Sequence, residues 1–281
     1  MIITPFDPWQ NTWCSCPKKY SLSPYTGCAH GCLYCYATSY IPDFFTPRPK
    51  KDFLARLKKD ILKIPANSII AIANSSDPYQ PLEKSLRLTR EALKIIAEKN
   101  LRVNLVTKSS LITRDHDIIK NMQTSVAITL TTLKPALAKK LEPFAATPQK
   151  RLAALKKLSR SNFTAIRFDP IICGINDEEM ENIITAAKNH GARQIITSTC
   201  KIKPDNFNRL LKAFPGKNAT WQNLYFRNSH KISGQFYLEE KLRLQLIERC
   251  RTATLNAGLK FSSCREGLSH LNTGTCDGSI T

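Results

Sequence analysis

Gly27-Cys28-Ala29-His30-Gly31-Cys32-Leu33-Tyr34-Cys35-Tyr36 is the stretch that decides how this chain is read. Three cysteines fall at spacings of four and three residues inside a short run punctuated by glycine. Thiolate is the ligand that selects soft metals and iron–sulfur clusters. Three thiolates hold three corners of a four-iron, four-sulfur cluster and leave the fourth iron free to bind a small molecule. A structural zinc site instead needs a fourth ligand and a closed tetrahedron. His30 lies between the first two cysteines, where it cannot easily turn back onto the same metal, so zinc needs a distant fourth ligand. The spacing favours a cluster over zinc or unliganded thiols.

Outward from that loop, apolar and polar stretches alternate in a regular order. Tyr20-Ser21-Leu22 is a strand that delivers the chain to the loop. Pro42, Pro47 and Pro49 exclude regular structure just beyond it. A helix is expected over 51–64, with Phe53, Leu54, Leu57, Ile61 and Leu62 on one face. Ser68-Ile69-Ile70-Ala71-Ile72-Ala73 is a continuous apolar run, the pattern of a parallel strand covered on both sides. It runs into Asn74-Ser75-Ser76-Asp77-Pro78-Tyr79-Gln80-Pro81, a polar loop. A helix over 86–99, a strand over 102–107, a helix over 114–122 and a strand over 126–130 follow. Thr147-Pro148 reads as the cap and first residue of a helix ending at Ser159. A strand over 164–172 leads to a helix capped by Asn176. Its Met180, Ile183, Ile184 and Ala187 recur at helical spacing, and Gly191 closes it. A strand over 194–199 and a short helix over 205–214 complete the series.

Strand and helix thus alternate about six times, which predicts an α/β fold with a parallel sheet and right-handed crossovers. Six units are too few for a complete eight-unit barrel. The expected architecture is a partial (β/α)6 barrel over 19–220, with an N-terminal extension over 1–18 and a C-terminal extension over 221–281. In such folds ligands bind at the carboxyl ends of the strands. In the tail, Trp221, Tyr225, Phe226, Phe236 and Tyr237 interleave with Arg227, His230 and Lys231. A last helix is expected over 238–256, with Leu238, Leu242, Leu246 and Cys250 on one face and Gly258 as its stop.

The 281 residues, 42% of them hydrophobic, suffice for one sizeable core. No apolar run is long enough to span a membrane. Met1-Ile2-Ile3-Thr4-Pro5-Phe6-Asp7-Pro8 lacks a basic-then-apolar secretory pattern, and a cytoplasmic location is expected. Disulfide scaffolds are small secreted chains, so the clustered thiols among the ten cysteines point to a reducing compartment and metal. Lys and Arg number 42 against 22 Asp and Glu, a formal net charge of +20. That excess suits a polyanionic partner such as DNA or RNA. Arg48, Lys50, Lys51, Arg56, Lys58, Lys59 and Lys63 crowd one segment. Lys134, Lys139, Lys140, Lys150, Arg151, Lys156, Lys157 and Arg160 crowd another. Many of these are expected on the wet faces of helices.

The pattern Cys-x-x-x-Cys-x-x-Cys, with Tyr34 as the aromatic before its last cysteine, resembles the radical S-adenosylmethionine (SAM) superfamily. The wider run from Ser23-Pro24-Tyr25-Thr26-Gly27-Cys28 to Cys35-Tyr36-Ala37 resembles its spore photoproduct lyase branch, and further matches extend over 19–198. The resemblance implies a partial barrel and a 4Fe–4S cluster on Cys28, Cys32 and Cys35. It implies SAM cleaved reductively to a 5′-deoxyadenosyl radical, and an electron donor such as ferredoxin or flavodoxin. Within Val-Thr-Lys, Lys108 matches a lysine that meets the cofactor carboxylate. Tyr34, Ser75, Ser76, Asp77, Thr129, Thr131 and Asp169 are the other candidates for the cofactor site, each at the cluster loop or a strand end. The segment Pro170-Ile171-Ile172-Cys173-Gly174 falls where the superfamily commonly lines adenine. In one place the sequence departs from the branch. A hydrogen-donating cysteine within Cys-Thr-Ser-Asp is replaced here in Asn74-Ser75-Ser76-Asp77, and Asn74 cannot donate as a thiol does. Cys173 or Cys200 are candidates to substitute.

A second set, Cys14, Cys16, Cys264 and Cys276, lies at the two ends of the chain, a candidate for an auxiliary cluster or a zinc ion if the ends meet. Three functions therefore compete. The leading one is a radical SAM enzyme acting on nucleic acid, in DNA lesion repair or RNA modification. The second is a radical SAM enzyme modifying a peptide, protein or small molecule. The third is a non-enzymatic, zinc-stapled nucleic-acid-binding module.

Overall fold

The computed structural model describes residues 1–6, 13–72 and 75–280. One sheet runs through the molecule: β1 (Thr4–Pro5), β2 (Tyr20–Leu22), β3 (Ile69–Ile72), β4 (Arg102–Thr107), β5 (Thr124–Thr129), β6 (Phe163–Ile171), β7 (Gln194–Thr199) and β8 (Lys260–Ser263). Each strand pairs with the next in sequence. From β2 onward every pairing is parallel, while β1 lies antiparallel on β2. A sequential parallel order is that of a barrel, and with seven parallel strands it stays open: a partial barrel, as the alternation of elements predicted. β3, β5 and β7 are buried along their whole length. β3 is apolar throughout, and β5 and β7 are rich in β-branched residues, as a sheet covered on both sides favours.

Helices cover the outer face. Among them are α1 (Phe53–Asp60), α2 (Leu88–Ala97), α3 (Pro148–Leu158), α4 (Met180–Asn189), α5 (Pro204–Ala213) and α6 (Glu240–Asn256). On α2, Thr89, Ala92, Leu93 and Ile96 are buried, and on α4 Met180, Ile183, Ile184 and Ala187. Each large aliphatic side chain so covered contributes about 1.5–3 kcal/mol. Thr147 caps α3 by accepting the Lys150 N–H (3.4 Å), with Pro148 at the first turn.

Four sequence expectations need correction. The helix over 114–122 is a 3-10 segment, Ser110–Asp115, and a single turn, His116–Ile119. Arg114 accounts for the break, because its guanidinium is drawn to Glu83 (2.6 Å) and to the buried Asp115 (2.7 Å). Asn176 does not cap α4 with its side chain. Its amide binds Ile172 N–H (2.7 Å) and the carbonyls of Thr131 (2.8 Å) and Pro170 (3.0 Å), stitching two strand ends together. Leu238 belongs to a hairpin, Ser229–Ile232 with Gln235–Leu238, that precedes α6. The buried face of α6 is Arg243, Leu246, Ile247, Cys250 and Thr254. Arg151, counted among surface charges, is buried against Glu142, whereas Lys150, Lys156 and Lys157 are exposed.

The last residues do not trail away. Gln194 donates to the Thr275 carbonyl (2.7 Å), Asn104 to the Asp277 carbonyl (3.2 Å) and Arg102 to the Ile280 carbonyl (3.1 Å). The tail therefore crosses beneath the sheet, from β7 to β4, along the amino-terminal halves of the strands. Among the described residues no helix is long and apolar enough to cross a membrane.

Candidate active site

The cluster loop is held by its backbone. Gly27 has φ +79, and a Cβ there would lie 2.5 Å from the Phe44 carbonyl oxygen, so only glycine fits. Cys28 N–H donates to that same carbonyl (2.7 Å) and Leu33 N–H to Leu141 (2.9 Å). Gln80 accepts from Ala29 N–H (3.0 Å) and donates to the Gly27 carbonyl (3.1 Å). From α5, Asn206 donates to the Tyr34 carbonyl (2.9 Å), and Arg209 to those of Leu33 (3.2 Å) and Cys35 (2.6 Å). With its peptide groups occupied in this way, the loop turns Cys28, Cys32 and Cys35 onto one wall of a cavity of about 500 Å³. Burial pushes the Cys28 thiol up to about 12 and raises those of Cys32 and Cys35 as well.

Side-chain alternation along the strands supplies the rest of the cavity. Asn104, Val106 and Lys108 reach it from β4 and its end, Thr129 from β5, and Arg167 and Asp169 from β6. Among the described residues the Lys108 ammonium has no hydrogen-bond acceptor, and it stands 5.7 Å from the centre of the Tyr34 ring. Burial disfavours its charge, but Cys32, Glu142 and Asp77 outweigh that and raise its pKa. Asp169 binds Arg167 (2.5 Å) and Ser198 (2.5 Å). Against the opposing effect of burial, the charges of Arg167 and Lys201 hold its carboxyl down to about 2.

The remaining candidates divide. Ser75 lines the cavity. Ser76 also touches it, yet its hydroxyl is committed to Ser23 (3.0 Å) and the Tyr25 carbonyl (3.1 Å). Asp77 is a latch: it accepts from Tyr79 N–H (2.9 Å), Thr107 Oγ1 (2.6 Å) and Lys108 N–H (2.7 Å). Its second oxygen lies 3.2 Å from His30 Nε2, an electrostatic contact that ties the cluster loop to the end of β4. Thr131 donates to Glu142 (3.1 Å), which also accepts from Tyr34 and pairs with Arg151. Thr131 and Tyr34 thus share one buried carboxylate, although only Tyr34 reaches the cavity wall. Cys200 lines the cavity and Cys173 is buried. Asn74 lies outside the described residues.

The pattern of the Radical SAM superfamily matches residues 22–187, more than half of the chain. The chain belongs to the radical SAM superfamily. Membership implies a 4Fe–4S cluster and SAM, and the three thiols on one cavity wall fit that cluster. An uncharacterised protein of Methanocaldococcus jannaschii is 32% identical over 167 residues, 57% of this chain and 63% of that one. One of Mycobacterium bovis is 29% identical over 173 residues, 57% of this chain and 48% of that one. The chain thus matches less than two thirds of either relative's length. A spore photoproduct lyase variant, solved with AdoMet and dinucleoside spore photoproduct, superposes with a TM-score of 0.64. It is 16% identical, with 85% of this chain and 72% of that one covered. The radical SAM methyltransferase TsrM from Kitasatospora setae gives 0.59 at 12% identity, covering 92% and 56%. Both likenesses are of fold.

Sequence reasoning did not find His30, Gln80, Glu142, Asn206 or Arg209 in these roles. Their partners lie far away along the chain, and no local spacing marks them. Arg167, Lys201 and Arg265, also on the lining, read from sequence as ordinary charged residues.

Proposed function

We propose that the chain binds a 4Fe–4S cluster through Cys28, Cys32 and Cys35, binds SAM beside it, and acts on a nucleic acid. When bound, these groups supply reductive cleavage of SAM to a 5′-deoxyadenosyl radical. In this reading Lys108 receives the SAM carboxylate, since its ammonium faces the cavity. Ser75 and Thr129 offer hydroxyls to the ribose and amino acid. The Tyr34–Glu142–Arg151 network fixes the wall behind Cys32, and Asp77 keeps the cluster loop in register with Lys108. Burial excludes water from the reacting centre. The free thiols suit a reducing, cytoplasmic setting, with a ferredoxin or flavodoxin as electron donor.

The observation that carries the nucleic-acid substrate is the cavity lining. Beside the ion pairs Lys19–Asp277, Arg167–Asp169 and Lys201–Glu266, the lining carries Lys108 and Arg265, and Tyr36, Tyr40 and Phe44 stand among them. Cations for phosphate and aromatic faces for unstacked bases are what a flipped or single-stranded nucleotide needs. Arg48, Lys51, Arg56, Lys58 and Lys59 are exposed as well. The test is to reconstitute the protein anaerobically, reduce it, and measure 5′-deoxyadenosine with irradiated DNA, plain DNA, RNA or none. Formation that rises with one nucleic acid, with binding that weakens steeply in salt, supports the reading. Failure to form 5′-deoxyadenosine refutes the cofactor assignment. Formation stimulated by peptides or small molecules, but by no nucleic acid, refutes the substrate assignment.

A further inference from the structure

The second set of thiols does meet. Cys276 Sγ lies 2.9 Å from Cys16 Sγ, across 260 residues of chain. Cys14 and Cys264, the latter just past β8, line the same cavity as Cys16. Beside them the buried ammonium of Lys19 pairs with Asp277, one residue from Cys276. The close approach is built in: a Cβ on Gly274 would lie 2.9 Å from the Gln194 amide, and one on Gly278 2.9 Å from Ile196.

We propose that Cys14, Cys16 and Cys276, with Cys264 as fourth ligand, hold a single tetrahedral zinc-class ion where the segment leading into β2 meets the tail. Thiol-to-thiol hydrogen bonds are weak and give little reason to gather three cysteines from opposite ends of the chain. A shared ion does, because closing so long a loop restricts the unfolded chain strongly. Among the described residues no three His, Cys, Asp or Glu side chains already stand at metal-ligand spacing. Between Cys16 and Cys276 the departure is toward crowding. Sulfurs around zinc stand ~3.8 Å apart, the edge of a tetrahedron with Zn–S bonds of about 2.3 Å, and Cys16 and Cys276 are closer than that. Replacing thiol protons by an ion requires them to part by less than about 1 Å, within reach of side-chain rotation. A cubane would demand far wider separation, one sulfur to each iron corner.

The ion would clamp the segment leading into β2 to the tail that crosses the floor. The test is elemental analysis of the full chain with Cys28, Cys32 and Cys35 all changed to Ala, which removes the first site. One zinc per chain is expected to remain, and to be lost when C16S and C276S are added. Should that last variant fail to fold, cobalt exchange into the parent gives a second readout, since tetrahedral thiolate cobalt shows intense near-ultraviolet charge-transfer bands. Iron with sulfide in the parent, a mass two daltons low from a Cys16–Cys276 disulfide, or neither metal nor cobalt bands would each overturn the proposal. None of these results depends on the assignment of the first site.

Discussion

Changing Asp77 to Asn tests whether a carboxylate latch joins the cluster loop to β4. The side chain keeps its size but loses its charge, and one oxygen becomes a donor facing Lys108 N–H or His30. In the wild type, burial pushes the carboxyl up, but His30, Thr107 Oγ1 and Lys108 N–H prevail and hold it at about 2, against 3.8 ordinarily. A carboxyl so lowered contributes about 2 kcal/mol at neutral pH, at ~1.36 kcal/mol per pKa unit. The direction is fixed: the contribution is complete above the unfolded value and is lost as pH falls through the folded one. At pH 3 roughly half of it remains. The misdirected donor adds about 1–2 kcal/mol that does not depend on pH. Urea unfolding followed by tryptophan fluorescence should therefore place D77N about 3–4 kcal/mol below wild type at pH 7, with the gap narrower by roughly 1 kcal/mol at pH 3. A gap under about 0.5 kcal/mol at pH 7, typical of a surface change, would refute the latch. A gap that does not narrow would refute the role given to charge.

Three further outcomes follow from the site. Gly27→Ala places a methyl group on the Phe44 carbonyl and should prevent full iron loading, read as iron and sulfide per chain after reconstitution. Lys108→Met should leave iron content unchanged and weaken SAM binding by about 10–100-fold, the worth of a charged hydrogen bond of 1.5–3 kcal/mol, measured by titration of the cluster-loaded protein. Arg151→Met strands Glu142 as a buried carboxylate beneath Tyr34 and should lower stability by about 3–5 kcal/mol. Arg151→Met with Glu142→Gln should recover most of that loss, a coupling that a double-mutant cycle reads directly.

The fold was legible because the apolar run at 68–73 and the β-branched stretches at 102–107, 126–130 and 194–199 alternate with segments of regular helical spacing such as α4. The loop of Cys28, Cys32 and Cys35 was legible because its thiols are neighbours in sequence. β8 was not, since Lys260–Ser263 is a short, half-polar segment that becomes a strand only by pairing with β7. The Tyr34–Glu142–Arg151 network was hidden for a related reason. Glu142 and Arg151 sit in a strongly charged stretch, and nothing local distinguishes a buried ion pair from a wet one. Asp77 and Ser76 show the opposite limit. Their position at a strand end marked them for ligand contact, but their bonds go largely to the protein itself.

The crossing of residues 275–280 beneath β7 and β4 has a consequence for folding order. That segment lies later in the chain than both strands, and it can dock only once they stand side by side. Until it docks, Lys19, Asn104 and Gln194 face water instead of the tail. The floor of the cavity thus closes after the sheet above it has formed.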